Sequence, residues 1–564
     1  MYNSSDFLFV PLGGSGEIGM NANLYHYEGS WLMVDLGISF PDDSMPGIDV
    51  VLPDLSFIEA RREQLAGLVL THGHEDHLGA IPYMWSKLGC PVYGSAFTLA
   101  LLRRKLAENN NPHDIPLIEL SPGMVEDIGA FSVEMVGMAH SIPDPTSLAI
   151  RCDAGTVLHT GDWKFDESPG LGTDTDSNRL AKIGDEGVLA MIGDSTNAMV
   201  EGRTASEAKA EAGLREVIAQ AKGRVAISCF SSNVARIQSI IRAAQANDRS
   251  VAVVGRAIRR AISAAQEVGY LRDLPDFVAE DDIELLPREN IVILCTGTQG
   301  EPRAAMAKIA AGTHESVTLD PGDTVVFSSR QIPGNEPAIA RVQDGLIRRK
   351  IILITDDDAP VHVSGHPSRE EMAEMYGLVR PRIAIPVHGT ARHLVAHAVL
   401  AEHCQVHQTL LPDNGTMIRL ARAGKKGEDA EIIDTVKTGA LTHEKGKIVE
   451  IQSDMMRARR RMLWNGVVTT SLVMNRRGAL CAAPAVSQTG IGDEAAAADY
   501  IATASIAVED ALSGMTRNAR RDDGSVEEIA GQALRRVARS MLGLRPIVHV
   551  HVMRVDDGDL QGVA

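Results

Sequence analysis

The 564-residue sequence is poor in several things that would have fixed its class at once. It has no apolar run near the roughly 18 residues a membrane-crossing helix needs, so no membrane association is expected. The opening MYNSSDFLFVPLGG lacks a basic segment followed by a long apolar one, so a secretory leader is not expected either. Cysteines number six, at 90, 152, 229, 295, 404 and 481, with no C-x-x-C pair. That spacing excludes a disulfide framework and a thiolate zinc site, and a reducing cytoplasmic location is expected. Aromatic residues make up 4%, so cores must be built from Ala, Val, Ile, Leu and Met. Positive charge is also short: 55 Lys and Arg against 74 Asp and Glu give −19. Unspecific attraction to a polyanion is thereby excluded, although a locally inverted field in a groove is not. The basic clusters at 255–260, 457–461, 517–521 and 535–539 read as solvated helix faces. Internal repeats and low-complexity tracts are absent, which removes solenoids.

What is present is a globular composition, 44% hydrophobic and 23% charged, in a chain too long for one core. Residues 1–204 alternate short strand-like runs with turns, and many runs end on a ligand-type residue: Asp35, His72, Asp162, Asp194. Residues 205–357 change to an α/β rhythm, with amphipathic helices between apolar runs such as SVAVVG and NIVILCTG. Those runs have the character of parallel strands buried on both faces. Residues 358–440 return to strands that end in His, Ser and Gly; 441–462 read as a linker; 463–564 read as a small α+β module. The expected class is α/β.

The segment LTHGHEDHLGAIP, 70–82, places His72, His74, Asp76 and His77 directly after an apolar run. Histidines at i and i+2 of an extended segment project to one side, and a turn can return Asp76 and His77 to the same region. The spacing is not the helical H-E-x-x-H of zinc proteases. His140, Asp162 and His388 also follow strand-like runs. Each alone is ordinary, but together the seven suffice for two metal ions sharing one carboxylate.

These motifs resemble a known family. DLG at 35–37, H-x-H-x-D-H at 72–77, His140 and TGD at 160–162 resemble the successive motifs of the metallo-β-lactamase fold. GDSTN at 193–197, HVSGH at 362–366 and PVHGT at 386–390 resemble the three motifs of the β-CASP nucleases. GGSGEIGMN at 13–21, CTGTQGEP at 295–302 and SRQIPGNE at 329–336 narrow the resemblance to the ribonuclease J family, over residues 8 to 395. It implies a metallo-β-lactamase αββα sandwich, an inserted β-CASP α/β domain and a small C-terminal α+β domain.

The resemblance also implies roles. His72, His74 and His140 would hold one Zn²⁺; Asp76, His77 and His388 the other; Asp162 would bridge them. Mn²⁺ or Mg²⁺ could serve as activating ions. Asp35 and Asp194 would orient ligating imidazoles, and Glu75 would be an exposed carboxylate outside the ligand set. His366 would contact the scissile phosphate and assist the leaving 3′-oxygen. Ser232, Asn233, His362, Ser364 and Gly365 would form a pocket for a 5′-monophosphate, although Asn233 also reads as a helix N-cap. Arg236 and Arg256 are candidates for lining the RNA channel. The implied activity is 5′→3′ exonuclease with endonuclease action on single-stranded RNA, in mRNA and rRNA processing and decay, by a homodimer or tetramer. The alternatives are a thioesterase- or glyoxalase II-like hydrolase, a β-CASP DNA nuclease and a catalytically silent RNA-binding subunit. The first lacks the insert. The second usually carries valine where this sequence has His388.

Overall fold

The computed structural model describes residues 2–41, 45–109, 111, 113–332, 334–422, 425 and 427–556. Pro333 of the SRQIPGNE motif and the last eight positions of the expected C-terminal module, 557–564, lie outside these. The chain forms two compact units: Met1–Phe40 with Val50–Leu441, and Pro41–Asp49 with Thr442–Ala564. No helix among the described residues is long and apolar enough to cross a membrane.

The first unit is built on two facing sheets. One has eight strands, in the order Glu431–Thr435, Thr416–Ala421, Phe7–Gly13, Ala22–Tyr27, Ser30–Val34, Leu65–Val69, Val92–Gly94, Leu117–Glu119. The other has seven: Gln408–Thr409, Ile383–Val387, Ala190–Asp194, Gly155–His159, Thr146–Cys152, Phe131–Gly137, Val125–Ile128. Alternate residues of each face the space between them, where Phe7, Phe9, Tyr25, Leu32 and Val34 meet Val133, Leu148, Ile150, Ile192 and Ile385. The outer face of the seven-stranded sheet is covered by Ser177–Glu186 and Arg369–Val379, through Leu180, Ile183, Met375, Tyr376 and Val379. On the other side Ala96–Glu108 packs on Val92–Gly94 and Leu117–Glu119. The result is an αββα sandwich.

Between Ala190–Asp194 and its neighbour Ile383–Val387 the chain makes a second α/β layer. Its five strands are all parallel, in the order Ser250–Val254, Ile291–Cys295, Val225–Ser228, Thr324–Phe327, Ile352–Ile354. Helices cover both faces, which explains the continuous apolar strands: Glu207–Gln220, Val234–Gln245 and Arg256–Glu267 on one, Ala305–Ala311 and Glu336–Arg348 on the other. After Val225–Ser228 the chain first builds to one side, then crosses to the other at Thr324–Phe327. The carboxyl ends of these two strands therefore flank a switch point, where open sheets leave a crevice for ligands.

Residues 441–462, expected to be a linker, are instead structured. They contain most of strand Ala440–Glu444, strand Lys447–Glu450 and much of helix Asp454–Asn465. Lys445 and Gly446 both take left-handed φ, +46° and +84°, which suits a tight hairpin turn. Polar composition misled the sequence reading here, because a short hairpin and a basic helix with a single fully buried methionine, Met456, need little apolar sequence. The rest of this unit pairs Val467–Asn475 with Ala485–Thr489 (antiparallel) and Ile547–Val555 (parallel). Helices Glu494–Ser513 and Asp523–Leu542 lie on one face, where Val468, Leu472 and Met474 meet Tyr500, Val508 and Leu534.

Candidate metal centre

The ligand-type residues sit one step beyond strand ends of both sheets. His72 and His74 follow Leu65–Val69, and the single helical turn Glu75–Leu78 carries Asp76 and His77. His140 follows Phe131–Gly137, Asp162 follows Gly155–His159, and His388 follows Ile383–Val387. Backbone contacts fix the turn: Leu36 N donates to His77 O at 2.7 Å and Ile38 N to Glu75 O at 3.0 Å. The approach is so close that a Cβ on Gly37 would lie 1.7 Å from the Asp76 carbonyl oxygen. Only glycine fits in the DLG motif at that point. Asp35 and His388 themselves take left-handed φ, +61° and +53°, a strain that packing must hold in place.

Two ligand groups result, each with its atoms within 4.8 Å of one another: His72, His74, His140, Asp162, and Asp76, His77, Asp162, His388. Asp162 belongs to both. Its Oδ2 lies 3.7 Å from His72 Nε2, 3.7 Å from His140 Nε2, 3.4 Å from His77 Nε2 and 3.6 Å from His388 Nε2. Its Oδ1 is buried and has no hydrogen-bond partner. A buried carboxylate oxygen without a donor is costly unless a cation completes it. Burial, above all, pushes His72 and His74 well below the ordinary histidine range and His140 down to about 4, so their lone pairs stay free. Burial also opposes charge on His77, but the carboxylates of Asp162, Asp76 and Asp35 override it and raise this imidazole well above that range. The neutral imidazoles of His72, His74 and His140, and at His77 carboxylates that favour positive charge, form a cation site, and the residues fit a metal.

Surrounding groups fix the rings. Asp35 Oδ2 accepts His77 Nδ1–H at 2.8 Å while Asp35 also accepts the Thr71 N–H and hydroxyl, each at 2.8 Å. His140 Nδ1 donates to Gly365 O at 2.6 Å. Asp194 departs from expectation. It holds none of the six ligating side chains around Asp162 but accepts from His366 Nδ1 at 2.8 Å, so it orients the residue expected at the scissile phosphate. His366 and Asp194 form a third group with Asp162 and His388. Burial lowers His366, yet Asp194 and Asp162 together raise it to about 9. Glu75 stands outside all three groups and pairs with Lys105.

The residues expected to bind a terminal phosphate lie beside this cluster. Ser232 and Asn233 follow the carboxyl end of Val225–Ser228, and Asn233 Oδ1 caps helix Val234–Gln245 by accepting Arg236 N–H at 2.8 Å. Ser364 Oγ accepts from Asn197 Nδ2 at 2.9 Å and from His366 N at 3.2 Å. Partial burial, then the Arg236 and Arg330 guanidiniums, push His362 down to about 3. Arg236 is not a channel residue. It is 0% exposed, gripped by both carboxylate oxygens of Glu207, and donates to Ser328 Oγ at 2.6 Å and Val361 O at 3.0 Å. It joins the 232–233 and 361–362 segments from beneath. Arg256, the first residue of its helix, is exposed.

Three residues beside these were missed. Exposed Arg330 donates to Asn197 Oδ1 at 2.9 Å, and Asn197 in turn donates to Ser364 and to His366 O at 3.1 Å. Asn21 lies between His77 and His388. All three lie inside quoted motifs, SRQIPGNE, GDSTN and GGSGEIGMN, and those positions were the available signal.

Comparison with known proteins agrees with this geometry. Residues 16–205 match the model of the metallo-β-lactamase superfamily and 222–346 that of the ribonuclease J β-CASP domain. Residues 359–408 match the Zn-dependent metallo-hydrolase RNA specificity domain, and 454–555 the ribonuclease J C-terminal domain. The ribonuclease J of Sinorhizobium meliloti is 42% identical over 98% of each chain. That of Synechocystis is 38% identical over 86% of this chain and 75% of its own. A crystal structure of a protein of unknown function from Enterococcus faecalis shares the fold, with a TM-score of 0.52 and 17% identity over 73% of this chain and 99% of its own. Matching models along most of the chain, an end-to-end relative and a cation site at the strand ends lead to one conclusion: this chain belongs to the ribonuclease J family and is a metal-dependent ribonuclease.

Proposed function

We propose that the centre holds two Zn²⁺ ions and that the enzyme degrades single-stranded RNA 5′→3′ from 5′-monophosphate ends, with internal cleavage by the same centre. The observation that carries this is Asp162, whose Oδ1 has no partner and whose Oδ2 faces imidazoles of both ligand groups. Bound there, the ions supply Lewis acidity that activates water and offsets phosphate charge. His366 donates Nδ1–H to Asp194, which leaves Nε2 for the scissile phosphate or the departing 3′-oxygen. Its Nδ1 lies 3.9 Å from Asp162 Oδ2, which puts the ring beside the ligand groups. Products would carry 5′-phosphate and 3′-hydroxyl ends.

The end-sensing pocket is assigned to Ser232, Asn233, His362, Ser364 and Gly365, at the switch point of the parallel sheet and the N-terminus of helix Val234–Gln245, both settings that favour phosphate. Few polar groups stand there, so a triphosphate would add charge without added donors. The natural setting of this activity is cytoplasmic mRNA and rRNA processing, by a homodimer or tetramer. The test compares identical RNAs with 5′-monophosphate, 5′-triphosphate and 5′-hydroxyl ends, in the parent and in Ser364→Ala. The monophosphate should be degraded fastest, and the variant should lose that preference. Equal rates on the first two ends would remove the pocket and leave internal cleavage standing.

A further inference from the structure

The glycine-rich GGSGEIGMN segment has no part in the chemistry described so far, yet it ends on Asn21, 3% exposed, against two of the ligating imidazoles. Its amide nitrogen reaches the Asp76 carbonyl at 3.1 Å, and its backbone N–H reaches the same oxygen at 3.0 Å. Asn21 O accepts Gly37 N–H at 2.9 Å, so the residue is stapled to the turn that carries Asp76 and His77. His388 Nδ1 lies 3.1 Å from Asn21 Oδ1 and 2.9 Å from Nδ2. Nδ2 carries two protons, one for Asp76 O and one toward His77 Nε2 at 3.1 Å, whereas Oδ1 can only accept, and His388 Nδ1–H is the donor placed to reach it. Nε2 of that ring then keeps its lone pair, facing Asp162 at 3.6 Å and Asp76 at 3.7 Å.

Gly14 makes room for this arrangement. At φ +86° a Cβ there would lie 2.4 Å from Asn21 Oδ1, while the Gly14 carbonyl accepts His388 N–H at 2.6 Å. The same loop pairs Ser15–Gly16 with Gly389–Thr390.

We infer that Asn21 is a positioning residue that fixes His388 in the Nδ1–H tautomer and ties it to the Asp76–His77 turn, so completing one cation set and not the other. This rests on the two-ion reading above. Outer partners of metal ligands are worth roughly 10–100-fold in affinity, which sets the expected effect.

The test titrates zinc into full-length parent, Asn21→Ala and Asn21→Asp in competition with a chromophoric chelator, with bound metal counted. The parent should hold two ions. Asn21→Ala should weaken one of them roughly 10–100-fold and leave the other unchanged. Asn21→Asp keeps an acceptor for His388 Nδ1–H but loses the donor to Asp76 O, and should restore part of the loss. Parental affinity for both ions in Asn21→Ala, or equal weakening of both, would overturn the inference. A parent that holds a single ion would instead sink the two-ion reading, and the inference with it. A measurement independent of variant folding is ¹⁵N-histidine spectroscopy of the zinc-loaded parent, where His388 should carry its proton on Nδ1. An Nε2–H ring would also overturn the assignment.

Discussion

The side chains around Asp162 and those of the neighbouring 232–233 and 362–365 segments differ in what their polar atoms touch. Around Asp162, four Nε2 atoms converge on one carboxylate oxygen, and the other oxygen has no partner. In the second region Asn233 caps a helix, Ser364 serves Asn197 and His366, and His362 lies against Arg236. The first set is incomplete as protein alone and requires positive charge. The second is largely satisfied by the fold, so any phosphate must compete for atoms already in use or rely on backbone N–H groups and nearby cations. Unmet lone pairs mark a resident cofactor; a satisfied polar network marks a scaffold that a transient ligand visits.

The largest expected effect breaks the first side of this comparison. Asp162→Ala removes the shared carboxylate, so RNA hydrolysis should be lost and bound metal should fall below the parent's, while circular dichroism stays near the parent because the residue lies beyond a strand end. Undiminished hydrolysis by the metal-depleted variant would refute a shared-ligand centre.

Next in size is the support under the second region. Arg236→Met leaves Glu207 buried without its partner, and breaking such a pair costs about 3–5 kcal/mol. Denaturant unfolding should register this loss, whereas the folded variant should bind RNA much as the parent does. Parental stability with lost RNA binding would return Arg236 to the channel.

A third test extends the comparison to the layer behind Asp194. His397 is enclosed between Ser195 Oγ and Tyr376 OH, each at 2.9 Å, and burial pushes it from 6.5 down to about 4. The folded state refuses a proton that the unfolded chain accepts. Its stabilising contribution is therefore complete above about 6.5 and is lost as pH falls from there toward about 4. The slope from one such group approaches about 1.4 kcal/mol per pH unit. His397→Gln should flatten the fall in urea midpoint over that window, and an unchanged profile would contradict the assignment.

The smallest effect sharpens the second side. Arg330→Ala should weaken RNA binding a few-fold and reduce the salt slope of log affinity by about 1, with the metal content unchanged. Arg256→Ala serves as the comparison, and an equal loss there would spread RNA contact along the exposed helix start.

Strand-end chemistry could be read from the sequence because each ligand follows an apolar run and falls in a quoted motif. Long-range partnership could not. Nothing in VARIQSII shows that Arg236 turns inward, since its partner Glu207 lies on another helix and Ser328 just past the strand Thr324–Phe327. Asp194 meets His366 rather than one of the imidazoles around Asp162, because which ring it meets depends on how residues 362–366 return to the sheet. The 441–462 segment was misread for a different reason: short strands and a solvated helix carry almost no apolar periodicity.

The chain order of the ligands has a consequence for biosynthesis. His72, His74, Asp76, His77, His140 and Asp162 precede the inserted α/β layer, while His366 and His388 follow it. A nascent ribonuclease is physically attached, through the ribosome, to an RNA it could destroy. Until position 388 has been translated, that polypeptide lacks a member of one ligand group. A product terminated early within the insert would be equally incomplete. Splitting the centre around the insert thus postpones completion of that ligand group until the whole insert has been synthesised.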